Sequence, residues 1–269
     1  MKKIIFLILV VFSITNSYAQ LIEEYRTCAI ESANTNHYEE AIDYFTWVII
    51  INPHDSTAYF DRAMMKEIIH DYHGAIVDYT KSMEIDTNNV DNYFLRGIMK
   101  NKIKDYKGAI ADLNKTINIE ASNADAWYHR GIAKSELHEF NDAINDFTTT
   151  IRLRPDHVKA FSNRGWAKHQ LHKYTLAIID YNKAIEFDST YADSYYYRGI
   201  TKTILKEYHK ALKDFDKAIE INPSNAEYYL HRAELKIQLN QQESGCSDIH
   251  KYIELGGEDN EKYTKILCH

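Results

Sequence analysis

The sequence predicts an all-α fold, an α-α superhelix of stacked helix-turn-helix repeats. The three prolines, Pro53, Pro155 and Pro223, are separated by 102 and 68 residues, which are three and two times 34. Within one such period, apolar residues recur at spacings of three and four in two stretches, the pattern of two amphipathic helices. Only 9 glycines and 3 prolines in 269 residues argue against an all-β sandwich, which needs a turn signal about every 8–12 residues.

The first predicted element is an export signal, residues 1–19, cleaved after Ala19. Two lysines begin it, an apolar run from Ile4 to Ile14 follows, and Ser17-Tyr18-Ala19 has the small-residue pattern of a cleavage site. The run is shorter than a membrane span requires, so we expect no membrane span and a periplasmic or secreted protein. An uncleaved N-terminal anchor is the alternative.

Seven repeats of 34 residues follow, counted from Ile22. Position 4 of each repeat is aromatic, position 8 is Ala or Gly, and position 20 is Ala in six repeats and Gly245 in the last. Because one helical hairpin cannot bury its apolar face alone, the repeats are expected to stack into a single domain over residues 20–269. The predicted repeats are residues 22–55, 56–89, 90–123, 124–157, 158–191, 192–225 and 226–259, with a short capping helix over 260–269.

These columns resemble the tetratricopeptide repeat (TPR) family, whose unit is two antiparallel helices with an aromatic residue at position 4, small residues at 8 and 20, and proline at 32. The segments AWYHRGIAKSELHEFNDAINDF and YYYRGITKTILKEYHKALKDFDKAIEINP carry the match. Positions 7 and 11, usually Leu and Tyr in the family, are Arg and Lys here. The resemblance implies a non-catalytic scaffold that binds a protein or peptide in a concave groove.

Arginine at position 7 occurs together with aspartate at position 23. Both are present in the second to seventh repeats, and in the first repeat they are replaced together by Cys28 and Tyr44. The hairpin turns near position 15, so positions 7 and 23 lie level across the two helices, and we predict structural ion pairs. The alternative is a row of arginines that binds an anionic ligand. The predicted pairs are Arg62–Asp78, Arg96–Asp112, Arg130–Asp146, Arg164–Asp180, Arg198–Asp214 and Arg232–Asp248.

The resemblance places the first helix of each repeat along the groove, where positions 5 and 9 carry aromatic and aliphatic side chains. Exposed apolar stripes mark partner sites, and aromatic residues are frequent at binding hot spots. Packing between adjacent first helices is the alternative. Replacing Trp166 by alanine distinguishes the two, because the substitution should leave the melting temperature nearly unchanged if Trp166 is exposed and lower it if Trp166 is packed. An exported small-ligand or glycan carrier using the same groove, and a homo-oligomer, are further alternatives. The predicted groove residues are Phe60, Met64, Phe94, Ile98, Tyr128, Ile132, Trp166, Tyr196 and Ile200.

Residue patterns for catalysis or for metal and cofactor binding are missing from the sequence. His70 and His73, like His169 and His172, are spaced i, i+3, but neither pair has a further ligand at the required spacing, so we expect solvated histidines, no metal and no cofactor. No G-x-S-x-G, P-loop or dinucleotide-binding pattern occurs, so we predict no enzyme. The net charge of −7, or −9 without the two leader lysines, predicts no nucleic-acid partner.

Three cysteines follow the leader: Cys28, Cys246 and Cys268. An oxidising compartment permits a disulfide. Cys246 and Cys268 lie at similar distances on either side of Gly256-Gly257, where the last repeat meets the antiparallel cap, so we predict that they pair. Cys28 lies in the first repeat, too distant for the roughly 7 Å between Cα atoms that a disulfide allows. Two free buried thiols are the alternative.

Overall fold

The computed structural model describes residues 2–258, with side chains from residue 17 onward. All regular secondary structure in this range is helical, which confirms the predicted all-α class. The helices are α1 (Lys2–Asn34), α2 (Tyr38–Ile51), α3 (Ser56–Ile68), α4 (Tyr72–Ile85), α5 (Val90–Lys102), α6 (Tyr106–Ile119), α7 (Ala124–Glu136), α8 (Phe140–Leu153), α9 (Val158–Gln170), α10 (Tyr174–Phe187), α11 (Ala192–Ile204), α12 (Tyr208–Ile221), α13 (Ala226–Gln238) and α14 (Gln242–Glu254).

The chain divides into two compact units, residues 1–133 and residues 134–269, and the division falls inside α7. In the first unit α1 pairs with α2, α3 with α4 and α5 with α6, and each hairpin packs on the next. In the second unit α8 lies against α9. Three successive hairpins follow, formed by α9 with α10, α11 with α12 and α13 with α14. The helices occupy positions 1–13 and 17–30 of the predicted repeats, except that α1 begins upstream and α14 ends one residue earlier. The predicted single domain stays a prediction.

The turn of each hairpin depends on a left-handed residue at position 15. After α3, the amide of His70 donates to the Glu67 carbonyl and that of Asp71 to the Lys66 carbonyl, the hydrogen bonds of a Schellman C-cap. The Asp71 carboxylate then accepts from the Gly74 amide at 2.9 Å and caps α4. The non-glycine residues with this conformation, at φ between 57° and 64°, are Asn36, His70, Lys104, His138, His172, Lys206 and Asn240.

The core of each hairpin lies between a small residue at position 8 and a large side chain at position 24. A Cβ at Gly165 would lie 2.7 Å from the Tyr181 ring, and one at Gly199 would lie 2.8 Å from the Phe215 ring. Tyr181 and Phe215 are both fully buried. Glycine therefore allows the first helix to approach the aromatic residue of the second helix, which keeps the two helices in close contact.

Of the two terminal segments predicted from the sequence, the structure describes the leader but not the cap. The predicted leader forms the N-terminal part of α1, which continues as one helix to Asn34. Among residues 17–258, whose side chains the structure describes, no helical segment has the length and apolar character needed to cross a membrane. The predicted cap, residues 260–269, and Cys268 within it lie outside the described residues.

Candidate functional site

The predicted Arg–Asp pairs lie between the two helices of a hairpin. Arg62 donates from Nε and Nη2 to the two carboxylate oxygens of Asp78, at 2.8 and 2.7 Å. The Asp78 side chain is only 2% exposed and that of Arg62 is 14% exposed. The structure brings five of the predicted pairs together: Arg62–Asp78, Arg96–Asp112, Arg164–Asp180, Arg198–Asp214 and Arg232–Asp248.

Lysine at position 11 contacts the same aspartate, which the sequence analysis missed. Lys66 Nζ lies 2.8 Å from Asp78 Oδ2, so that two cations face one buried carboxylate. The chain itself carried a signal for this contact, because every repeat with Asp at position 23 has Lys at position 11, whereas the first repeat has Ser32 and Tyr44. The other lysines of this kind are Lys100, Lys134, Lys168, Lys202 and Lys236.

A further hydrogen bond from the arginine links neighbouring repeats. Arg62 Nη1 donates to Thr46 Oγ1 of the preceding repeat at 2.9 Å. Position 25 supplies the acceptor each time: Thr46, Thr80, Asn114, Thr148, Asn182 and Asp216. Arg62 also lies over the Tyr59 ring, 5.7 Å from its centroid. Since protein groups already engage the guanidinium on several sides, this arrangement favours a structural role over a row of arginines for an anionic ligand.

The remaining predicted pair joins Arg130 and Asp146, which belong to different compact units, and it stays a prediction. Within the first unit, Arg130 donates to Asn114 at 2.6 Å and lies 4.6 Å from the centroid of the Trp127 ring. Within the second unit, Asp146 is buried and lies 2.8 Å from Lys134 Nζ. Each residue therefore has a structural partner in its own unit.

Position 5 of the predicted groove is largely occupied in packing. Tyr128 is only 9% exposed, which corrects the expectation of an exposed residue there. The Phe60 ring meets the Tyr79 ring edge to face, with 5.6 Å between centroids. In the second unit the Tyr196 ring lies 4.8 Å from that of Tyr228 in the next repeat. Phe60, Phe94 and Tyr196 are half-buried. Tyr196 packs between adjacent first helices, as the alternative predicts, whereas Phe60 packs on the second helix of its own repeat.

Trp166 also packs between repeats. Its ring stacks on His169 with centroids 5.0 Å apart and an interplanar angle of 12°. The Tyr197 ring, on the first helix of the next repeat, lies 4.9 Å away. Trp166 is half-buried and lines a small hollow together with Ser135, Glu136 and Gln170. These contacts favour the alternative for Trp166, packing between repeats, and its place in a partner groove stays a prediction.

A few large apolar side chains on the first helices are exposed, at position 9 or position 13 of their repeats. Met64 is 39% exposed, and Ile68, one turn later, is 44% exposed. Ile204, at position 13 in the second unit, is 47% exposed. Ile68 and Ile204 were missed because the sequence analysis chose only positions 5 and 9, although both are apolar in the sequence. The remaining predicted residues at position 9 are half-buried: Ile98, Ile132 and Ile200.

His169 is not the solvated histidine that the sequence analysis expected. It is only 8% exposed, and its Nδ1 lies 2.8 Å from Thr201 Oγ1. The Thr201 hydroxyl donates to the Tyr197 carbonyl at 2.8 Å, so Thr201 links the His169 ring to the backbone of α11. Burial lowers the pKa of His169 below 6.5, and the neighbouring His172 lowers it further. His70, His73 and His172 are exposed.

The side chains from residue 17 to 258 include no group of three or more His, Cys, Asp or Glu residues placed to hold a metal ion. Cys28 has a free, half-buried thiol. The pairing of Cys246 with Cys268 stays a prediction, because Cys268 lies outside the described residues.

Models of tetratricopeptide repeats match two segments of the chain, residues 128–192 and 192–225. No curated protein matches the chain. Among solved structures, a tetratricopeptide repeat protein from Parabacteroides merdae is similar with a TM-score of 0.76 and 17% identity, covering 93% of this chain and 98% of that one.

Two further structures are similar over shorter stretches. MamA has a TM-score of 0.61 and 21% identity, covering 65% of this chain and 95% of its own. YrrB, a TPR protein with an unusual peptide-binding site, has a TM-score of 0.55 and 24% identity, covering 66% of this chain and 92% of its own. At these identities the likeness shows a shared fold.

Proposed function

Because the chain belongs to the tetratricopeptide repeat family, we propose that it is a non-catalytic scaffold that binds a protein or peptide partner through the first helices of its repeats. The similar fold of YrrB, which has a peptide-binding site, supports an interaction role. The proposed contact residues are the exposed aliphatic side chains at positions 9 and 13, which are Ile30, Met64 and Ile68 in the first unit and Ile204 in the second.

The observation that carries this proposal is the exposure of large aliphatic side chains on the first helices. In the first unit Ile30 and Met64 occupy position 9 of successive repeats and are 48% and 39% exposed, and Ile68 adds a third side chain. A partner that buries apolar surface gains about 25 cal/mol for each square ångström removed from water. Clustered apolar residues on a soluble surface mark interaction sites.

Photocrosslinking in the producing cell tests this proposal. A photoreactive amino acid replaces Met64 or Ile204 on the proposed surface, and Lys115 or Lys213 on second helices as matched exposed controls. We expect a common crosslinked protein from positions 64 and 204 that the control positions do not give. Met64→Glu should weaken the complex while the melting temperature stays close to that of the unchanged chain.

Equal crosslinking from Lys115 and Lys213, or no crosslink from positions 64 and 204, would contradict the proposal. A crosslink to a second copy of the chain would support the homo-oligomer instead, and light scattering would then give its size.

A small-ligand or glycan carrier is the second candidate. The hollow lined by Trp166, Ser135, Glu136 and Gln170 favours it, because it places one aromatic ring beside several polar groups. Against it, His169 and Tyr197 already contact the Trp166 ring that a sugar would use. Glycan-array binding that Gln170→Ala abolishes without a change in melting temperature would favour the carrier over the scaffold.

We also propose export with removal of residues 1–19, on the support of the lysine pair, the apolar run and Ser17-Tyr18-Ala19. N-terminal sequencing of protein isolated from the exported fraction should begin at Gln20. Retention of residues 1–19 in membrane-associated protein would favour the uncleaved anchor.

A further inference from the structure

The first repeat differs from the later repeats on the outer side of its second helix. Trp47 and Ile50, at positions 26 and 29, are 51% and 59% exposed. In four later repeats the same positions hold a lysine and a glutamate joined by an ion pair of 2.6–2.8 Å: Lys81–Glu84, Lys183–Glu186, Lys217–Glu220 and Lys251–Glu254. The first repeat therefore replaces a charged surface pair by an apolar pair.

Two tyrosines extend this apolar surface. The Tyr25 ring on α1 stacks with Trp47, with centroids 6.3 Å apart and an interplanar angle of 24°, and lies 6.2 Å from the Tyr44 ring. Tyr25 also packs on the buried cluster of Val48, Ile49 and Ala58, so the rings are held in place by the core. We call Tyr25, Tyr44, Trp47 and Ile50 the first-repeat patch.

The surroundings of the first-repeat patch are strongly acidic. Residues 22–55 contain seven acidic side chains and one basic side chain, Arg26. Arg26 is engaged by Asp55 at 2.7 Å, so its charge is compensated within the protein. Glu40 and Asp43 precede Trp47 by seven and four residues and thus share its helix face. The exposed acidic residues of the repeat are Glu23, Glu24, Glu31, Glu39, Glu40 and Asp43.

We propose that the first-repeat patch binds an amphipathic helical segment of a partner protein whose apolar residues are flanked by Lys and Arg. The aromatic and aliphatic side chains would take the apolar face, and the acidic residues would pair with the flanking cations. A second copy of this chain fits poorly, because two acidic surfaces would face each other. Apart from Tyr25 on α1, the patch lies on α2, whereas the proposed scaffold function uses exposed residues of the first helices.

The test uses the full chain and two synthetic helical peptides of about 18 residues, long enough to form a helix in solution. Both carry the same Leu and Trp stripe; one is flanked by Lys and the other by Glu. W47K/I50E introduces the Lys–Glu pair of the later repeats, so it is expected to fold, and its melting temperature is measured alongside. E40Q/D43N removes charge and keeps the patch. K217A/E220A, at positions 26 and 29 of another repeat, is the matched control.

Isothermal titration calorimetry should show that the unchanged chain binds the Lys-flanked peptide. The affinity for this peptide should be at least tenfold lower for W47K/I50E and unchanged for K217A/E220A. It should also be lower for E40Q/D43N, and lower at higher salt. No binding of the Lys-flanked peptide, equal binding of the Glu-flanked peptide, or unchanged binding by W47K/I50E would each overturn the proposal. Light scattering that shows a dimer dissociated by W47K/I50E would overturn it in favour of a second copy. Binding to anionic vesicles that W47K/I50E abolishes would overturn it in favour of a membrane surface.

Discussion

Replacing Asp78 by alanine should destabilise the hairpin of α3 and α4 more than any surface substitution near it. The Asp78 carboxylate is 2% exposed and accepts hydrogen bonds from Arg62 at 2.8 and 2.7 Å and from Lys66 at 2.8 Å. The cations are themselves largely buried, with 14% and 17% of their side chains exposed. Asp78→Ala therefore leaves two cations without their common anion.

The expected loss of unfolding free energy is about 3–5 kcal/mol, the cost of removing one member of a buried ion pair. Arg62→Ala should cost less, about 1.5–3 kcal/mol, because Lys66 still compensates Asp78 after the charged hydrogen bonds of Arg62 are lost. The double variant should differ from the sum of the single variants by about 0.5–3 kcal/mol, since the two residues share these bonds.

Urea unfolding followed by circular dichroism measures these losses. Glu84→Ala is the matched control, because Glu84 forms an exposed ion pair with Lys81 on the same hairpin, and such pairs contribute about 0.2–1 kcal/mol. If Asp78→Ala costs no more than Glu84→Ala, or if the effects of Arg62→Ala and Asp78→Ala add within error, the buried triad of Arg62, Lys66 and Asp78 does not stabilise the hairpin.

Three further outcomes are expected. Trp166→Ala should lower the unfolding free energy by about 1–3 kcal/mol, since the Trp166 ring packs on His169 and Tyr197. This loss is smaller than that expected for replacing a fully buried Trp, and an unchanged melting temperature would show instead that Trp166 is a surface residue. The pKa of His169 is lowered by burial, so the unfolded chain binds more protons than the folded chain below about pH 6.5. The free energy of unfolding should therefore fall as the pH drops through that range. His169→Gln should reduce this fall, and a pH profile that the substitution leaves unaltered would contradict the prediction. Non-reducing peptide mapping of exported protein should recover Cys246 linked to Cys268 and Cys28 alkylated; a crosslinked peptide containing Cys28 would refute the pairing.

The helices were predictable because the 34-residue phase repeats the same local signals. A left-handed residue recurs at position 15 of every repeat, and in two repeats Asp71 and Asp105 also cap the second helix. Local hydrogen bonds of this kind are encoded by neighbouring residues, so the period was sufficient to predict two helices per repeat and a turn near position 15.

The surface of the first helices was less predictable. Whether an aromatic side chain at position 5, such as Tyr128, faces solvent depends on how far adjacent helices are offset, which is a tertiary property. The buried position of His169 has the same origin, because its hydrogen-bond partner Thr201 lies 32 residues away in the next repeat. The role of the lysines at position 11 was hidden because a lone lysine on a helix usually belongs to the solvated face.

The hydrogen bond between the arginine of one repeat and position 25 of the preceding repeat determines which changes in length the chain tolerates. A repeat such as 192–225 contains its own Arg198, Lys202 and Asp214, and it requires from its neighbour only one side-chain oxygen, here from Asn182. Thr, Asn and Asp all meet that requirement in this chain, so a duplicated or deleted repeat still finds an acceptor. A break between Arg198 and Asp214 would instead separate buried charges of opposite sign. Insertion or loss of whole 34-residue segments is therefore the change in length that this charge network tolerates.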